Sequence, residues 1–332
     1  MLNSKIAGVG HFVPPNVVTN HDLAQIMDTN DEWIQERTGI KQRHWATSGE
    51  HTTSGLAFEA SKIAIENAGL QPADIDFIVF ATLSPDYYFP GAGVTLQKML
   101  GIKEIGALDV RNQCSGFVYA LAVADKFVKT GTHKNVLVVG AEIHSYGLDK
   151  TTKGRGVSVI FGDGAGAVVL QPTTDPSKGI LSTHLHAEGA HAEQLYVRDP
   201  GMGRGTLHYP DLIETDGIYP HMNGNFVFKH AVTRFPEVIN EALHAHGYTT
   251  QDLDLLVPHQ ANLRIAQYIQ QSMQIPTEKI MVNIQNYGNT TAASIPIALS
   301  EALQTGRIKQ NDLICLAAFG SGFTWASALI RW

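Results

Sequence analysis

Two stretches of the chain carry one hydrophobic pattern. ADIDFIVFATLSP (73–85) alternates aspartate with apolar residues and then runs into an unbroken apolar segment, and QDLDLLVPHQANL (251–263) does the same 178 residues later. Such short unbroken runs predict strands buried on both faces. Before each lies an amphipathic stretch ending in small residues and a glycine, Gly69 or Gly247, which predicts a helix and its stop. Further along, KTGTHKNVLVVGAE (129–142) is matched by QTGRIKQNDLICLAAFG (304–320), with Thr130-Gly131 answering Thr305-Gly306 at an offset of 175. Helix, strand, helix and strand recur in one order. A repeat this long predicts a duplicated α/β unit and not a solenoid, because each copy can build a sheet with its own covering helices. The boundary is drawn between an N-terminal half, 1–171, and a C-terminal half, 172–332, packed about a pseudo-twofold axis.

Laying the halves over each other brings polar residues together. At offset 175 Cys114 falls opposite Asn289, and at offset 178 His259 falls opposite Ala81. All three polar groups then lie at strand ends, where α/β folds gather their sites. In DVRNQCSGFVYAL (109–121) the apolar residues after Cys114 recur at helical spacing, so Cys114 sits near a helix N-terminus. The dipole and free amides there favour a thiolate and can hold an oxyanion. Cys315, inside DLICLAAF, reads as core. Taken singly, His259 in VPHQANLR could be a satisfied core histidine and Asn289 in NYGNTTAAS a helix cap. Together with Cys114 they form a nucleophile with two hydrogen-bond donors.

Composition narrows the field. With 44% hydrophobic and 17% charged residues over 332 positions, the chain can bury a large core. A net charge of -7 without a Lys/Arg block argues against nucleic acid as partner. The start of the chain has no apolar leader and no run of 18 apolar residues occurs, so a cytoplasmic protein without a membrane span is expected. Two cysteines make neither a disulfide framework nor a zinc pair, and the closest histidine pairs, His184/His186 and His244/His246, lack the spacing or neighbours of a metal site, so no metal is expected. The glycines of FGDGAGAVVL (161–170) precede a strand-like run, not a helix, which speaks against a dinucleotide loop.

DEWIQERTGIKQRH, CSGF, FGDGAGAVVL, STHLHAEG, VPHQANLRI, GNTTAASIPIAL and AFGSGFTWASALIRW together resemble the β-ketoacyl-acyl carrier protein synthase III family of the thiolase superfamily, from end to end of the chain. The resemblance implies an α/β, thiolase-like, five-layered αβαβα fold. It implies an acyltransferase in which Cys114 takes an acyl group from acyl-CoA and then condenses it with decarboxylating malonyl-acyl carrier protein. His259 and Asn289 would stabilise the enolate, and the backbone N–H groups of Cys114 and Ser321 the tetrahedral oxyanion. By the same resemblance Thr29, Trp33, Arg37, Arg155, Asn225 and Asn262 would bind CoA. Phe89, from a homodimer partner, and Phe228 would bound the acyl pocket, and Lys229 and Arg264 would dock the carrier protein. No cofactor is implied.

Three features depart from the family pattern: a long segment at 198–225, RNQ before Cys114, and Gln270, Gln271 and Ser272 where basic residues are common. A papain-like thiol hydrolase also uses Cys, His and Asn but leaves the repeat unexplained. A non-catalytic carrier-binding module would not need the three polar groups. A non-decarboxylating acyltransferase, or a ketosynthase of specialised metabolism, stays closest to the main reading.

Overall fold

The structure, a computed structural model, describes residues 2–205 and 216–332. Strands β1 (Asn3–Phe12), β2 (Phe77–Ala81), β3 (Gly106–Val110), β4 (Val136–Glu142) and β5 (Gly164–Thr173) form one mixed sheet in the order β1-β5-β4-β2-β3. Strands β6 (Gly179–Ala187), β7 (Leu255–Pro258), β8 (Leu313–Gly320) and β9 (Thr324–Arg331) form a second, ordered β6-β9-β8-β7. The pairing is the same in both. β1/β5 and β5/β4 are antiparallel and β4/β2 parallel, as β6/β9 and β9/β8 are antiparallel and β8/β7 parallel. The halves differ at one edge, where β3 pairs along its length with β2 but its counterpart is a single parallel bridge from Leu256 to Ile280.

The longer helices are α1 (Asp31–Thr38), α2 (Thr53–Asn67), α3 (Ala92–Met99), α4 (Gly116–Lys129), α5 (Gly224–His244), α6 (Leu263–Met273) and α7 (Ser294–Gln304). Strand alternation sorts them into layers, since neighbouring side chains point to opposite faces. Val79, Val138 and Val168 pack with Leu255, Leu316 and Ala328 of the other sheet around α4 and α7. Ile78, Phe80 and Val139, from the same strands as the first set, face outward against α2 and α3. Leu256, Cys315 and Phe319 face α5 and α6. The five layers expected from the sequence are therefore present, and Cys315 is core.

Position decides what each helix must be. α4 is buried nearly all round by Phe117, Val118, Leu121, Ala124 and Val128, as a helix between two sheets requires, whereas α5 buries one stripe including Phe235, Val238 and Ala242. Burying each Val, Leu or Phe contributes about 1.5–3 kcal/mol, so the doubly covered middle layer anchors the fold. The buried carboxylate of Asp125 in α4 is paired with Lys126 and Lys129, at 2.6 and 3.1 Å, and bonded by Ser4.

The register between halves is 178 where it matters, not 175. α4 follows the three-ten turn Gln113–Ser115 and α7 follows Thr291–Ala293. Both turns begin on a residue in the left-handed region, Gln113 at φ 43° and Thr291 at φ 51°. α4 has 14 residues and α7 has 11, one turn fewer, so only the Thr-Gly pairs that end them are 175 apart. The structural counterpart of Cys114 is therefore Ala292, and that of Asn289 is Arg111; the expected opposition of Cys114 and Asn289 is corrected.

Candidate active site

Cys114 sits in the turn that opens α4, 7% exposed. The backbone N–H groups of Cys114 and Ser321 both bear on its sulfur. Such closeness requires glycine at 320, at the end of β8. A Cβ there would lie 2.5 Å from the Cys114 Cβ and 2.8 Å from its Sγ. The helix start does not yield a thiolate. Burial, and secondarily the nearby Glu142, push the Cys114 thiol up to about 12, against the smaller opposing effect of the two N–H groups, so it is protonated at neutral pH. Glu142 closes β4 as a buried carboxyl, itself raised to about 8 by desolvation. It accepts hydrogen bonds from Ser84 Oγ at 2.7 Å, Thr82 Oγ1 at 3.2 Å and Leu83 N–H at 3.2 Å.

His259 continues β7, its N–H donating to Ala317 O at 2.8 Å. Its Nδ1 lies 2.6 Å from Ser294 Oγ, while Nε2 is buried with no partner. It is thus a half-satisfied histidine. Burial, with the neighbouring His144, pushes its pKa down to about 3, and the ring is neutral. Asn289 is held by its backbone, N–H to Ile160 O at 2.9 Å and O from Gly162 N–H at 3.0 Å. Its Oδ1 accepts from Thr291 N–H at 2.9 Å. It caps no helix, for the residue before α7 is Ala293, without a side-chain cap. Cys114, His259 and Asn289 line one cavity of about 330 Å³.

Trp33 and Arg37, on α1, line the same cavity, with the Arg37 guanidinium 4.4 Å and that of Arg155 5.3 Å from the indole. Arg155 also reaches Asp28, with Nη1 3.1 Å from Oδ2. Asn225, Phe228, Asn262 and Arg264 line the wall. Asn262 caps α6, its Oδ1 accepting from Arg264 N–H and its Nδ2 donating to Arg37 O, both at 2.9 Å. The Arg264 guanidinium lies 5.6 Å from the Phe228 ring. Thr29, Arg155 and Lys229 are not in the wall; Thr29 Oγ1 is buried without a partner, and Lys229 is exposed. Phe89 is 80% exposed and does not reach the cavity of its own chain. The long segment 198–225 includes 206–215, which lie outside the described residues.

Several neighbours of the site went unread in the sequence. Ser294, Gly320, Glu142 and His144 stand in no local pattern that singles them out, and only their contacts mark them; Thr291 carried one local signal. His144 lies against Phe161, the ring centroids 4.4 Å apart and the planes tilted by 31°, hydrogen-bonds Thr291 Oγ1, and is pushed down to about 4 by burial. The signal available for Thr291 was its place two residues after Asn289, the reach of an Asx turn. His184 and His186 both lie against Glu241, at 3.3 and 2.6 Å, a carboxylate distant in sequence. Among the described residues no group of three or more His, Cys, Asp or Glu could hold a metal, and no helix is long and apolar enough to cross a membrane.

Comparison with known proteins gives the family and the fold. Residues 108–189 match the family described as 3-oxoacyl-[acyl-carrier-protein (ACP)] synthase III, and 243–332 match its C-terminal family. The chain is 48% identical over 336 aligned residues to a β-ketoacyl-[acyl-carrier-protein] synthase III of Xanthomonas euvesicatoria pv. vesicatoria, covering 100% of this chain and 99% of that protein. It is similar to the crystal structure of 3-oxoacyl-[acyl-carrier-protein] synthase III from Aquifex aeolicus VF5, with TM-score 0.91 and 44% identity over 99% of this chain and 100% of that one. The corresponding structure from Pseudomonas aeruginosa PAO1 gives TM-score 0.90 and 34% identity, covering 99% and 98%.

Proposed function

The chain belongs to the β-ketoacyl-acyl carrier protein synthase III family, thiolase-like condensing acyltransferases that initiate fatty-acid synthesis, and on that premise we propose that Cys114 takes the acyl group from acyl-CoA while His259 and Asn289 drive decarboxylation of malonyl-acyl carrier protein. The observation that carries the assignment is that these three side chains line one cavity. In the first step the Cys114 sulfur bonds to the acyl carbon as the bond to the CoA sulfur breaks. The thiol proton leaves with CoA, so a buried, protonated cysteine needs no permanent proton acceptor, and exchanging one thioester for another is nearly thermoneutral.

In the second step the bond between the malonyl carboxylate and its Cα breaks, CO2 departs, and the electron pair becomes an enolate whose oxygen needs donors. A neutral His259 supplies one N–H and Asn289 a second. The enolate carbon attacks the acyl-Cys114 carbonyl. The N–H groups of Cys114 and Ser321 receive the resulting oxyanion, and collapse expels the Cys114 sulfur as a thiolate, which takes a proton from solvent. Low dielectric strengthens each of these bonds.

Trp33, Arg37 and Arg155 are assigned to the CoA nucleotide, as their clustering supports, with Thr29 beside them. Asn225 and Asn262 are assigned to the pantetheine arm, Phe228 to the acyl wall, and Arg264 and Lys229 to carrier-protein docking. The halves 1–171 and 172–332 are taken as the duplicated units. A homodimer belongs to the same reading, in the cytoplasm where CoA thioesters are made. It is supported by exposed Tyr87, Tyr88 and Phe89 beside the exposed edge strand β3, and in it Phe89 would enter the partner's acyl cavity.

The test incubates the protein with a panel of acyl-CoAs and reads intact mass, then adds carboxyl-labelled malonyl-acyl carrier protein and counts CO2. An adduct mapped to Cys114 followed by CO2 release is expected. An adduct at Cys315 overturns the nucleophile. Acyl transfer to the carrier without CO2 makes the protein a non-decarboxylating acyltransferase.

A further inference from the structure

A neutral imidazole has one N–H and one lone pair, and only one of its two tautomers can donate from Nε2. For His259 the choice falls to the polar group that meets its Nδ1. Ser294, the first residue of α7, is 2% exposed, and its Oγ lies 2.6 Å from His259 Nδ1. The same oxygen receives the backbone N–H of Gln260 at 3.4 Å. If Nδ1 carried the proton, Ser294 Oγ would face two donors, and among the described residues its own buried hydroxyl hydrogen makes no other hydrogen bond. With the proton on Nε2, the Gln260 N–H donates to Oγ, Oγ–H donates to the Nδ1 lone pair, and every group is matched. The remaining Nε2 then meets no protein partner. It is left for a substrate oxygen.

We propose that Ser294 is a positioning residue that fixes His259 as the Nε2–H tautomer by donating to Nδ1, thereby making the histidine a donor for the malonyl thioester enolate and not an acceptor. This rests on the assignment of His259 to decarboxylation and names the residue that sets its polarity. The bond joins two layers of the fold, since His259 directly follows a strand of the second sheet and Ser294 begins the middle-layer helix. It also accounts for a polar side chain buried at the first turn of a helix whose preceding residue offers no cap.

The test has a spectroscopic and a kinetic arm. In protein labelled with 15N-histidine, long-range proton–nitrogen correlation distinguishes the two neutral tautomers, and the His259 signal is identified by its loss in His259→Gln. The parent is expected to show Nε2–H. Ser294→Ala is expected to populate Nδ1–H and to slow CO2 release from malonyl-acyl carrier protein about tenfold or more, because one enolate donor is lost for part of the time. Its acylation by acyl-CoA and its KM for the malonyl thioester should stay near parent values. Ser294→Thr, which keeps the hydroxyl, should recover both tautomer and rate. An Nδ1–H signal in the parent overturns the proposal whatever the variants do, as does a Ser294→Ala protein that keeps the Nε2–H tautomer and the parent rate. Should the parent release no CO2 at all, the catalytic reading fails, while the tautomer still reports on Ser294.

Discussion

The turns that open the two central helices are built alike and used differently. Gln113–Ser115 and Thr291–Ala293 both start in the left-handed region, both stand 178 residues from their counterpart, and both lead into a helix held between sheets. The first places a cysteine on the turn. The second has Ala292 there, and its polar side chain, Asn289, comes from the segment before the turn. Similarly the end of β4 carries Glu142 where the end of β8 carries Gly320, because only the second strand end must let Cys114 approach. A duplicated scaffold has thus put Cys114, the proposed nucleophile, in one copy and cleared space for it in the other.

Gly320→Ala should break this arrangement most severely. Its Cβ would fall within 2.8 Å of the Cys114 sulfur, and neither strand end nor helix start can yield cheaply. Both acylation and condensation should drop about a hundredfold or more, the cost of misplacing a reacting atom by about 1 Å. Intact-mass acylation rates measure the first loss, and the parent rate would refute the close approach.

Asn289→Ala tests the second half alone. It should still form the acyl-enzyme but release CO2 about a hundredfold to a thousandfold more slowly, one enolate donor having gone. Arg111→Ala, at the matching position of the first half, should leave both steps near the parent rate. Unimpaired CO2 release in Asn289→Ala would return that residue to a purely local role in its turn.

Next comes acid stability, through His144. Its folded pKa is about 4 against an ordinary 6.5, so between those values the unfolded chain binds a proton that the folded ring refuses. Stability is complete above the ordinary value and falls as pH drops through that window. At pH 5 the loss from this group is about 2 kcal/mol. His144→Leu should shrink the difference in unfolding free energy between pH 7 and pH 5 by that amount in urea titrations.

The smallest effect compares the two left-handed residues. Gln113→Gly relieves backbone strain and should raise stability by up to about 1 kcal/mol in urea melts. Thr291→Gly should gain nothing, because it forfeits the hydrogen bond to His144. Equal gains from both would mean that bond is not stabilising.

The strands, the duplication and the cysteine at a helix start were legible along the chain, since apolar period and glycine stops are local properties, whereas the five layers followed only from the family resemblance. The register between halves was misread from the Thr-Gly pairs, which lie beyond a helix one turn shorter in the second copy. The expectation of a thiolate failed for a related reason. A helix start is visible in sequence, but the burial that outweighs it is not.

What the sequence determined by itself was which residues are chemically able to act: one cysteine at a helix start, one histidine after a buried strand, one asparagine in a glycine-led turn. What only the tertiary structure decided was their state. Desolvation, the Ser294 hydroxyl on His259 and the missing side chain at Gly320 act across residues far apart in the chain, and electrostatic and steric contacts depend on distance in space, which periodicity does not encode.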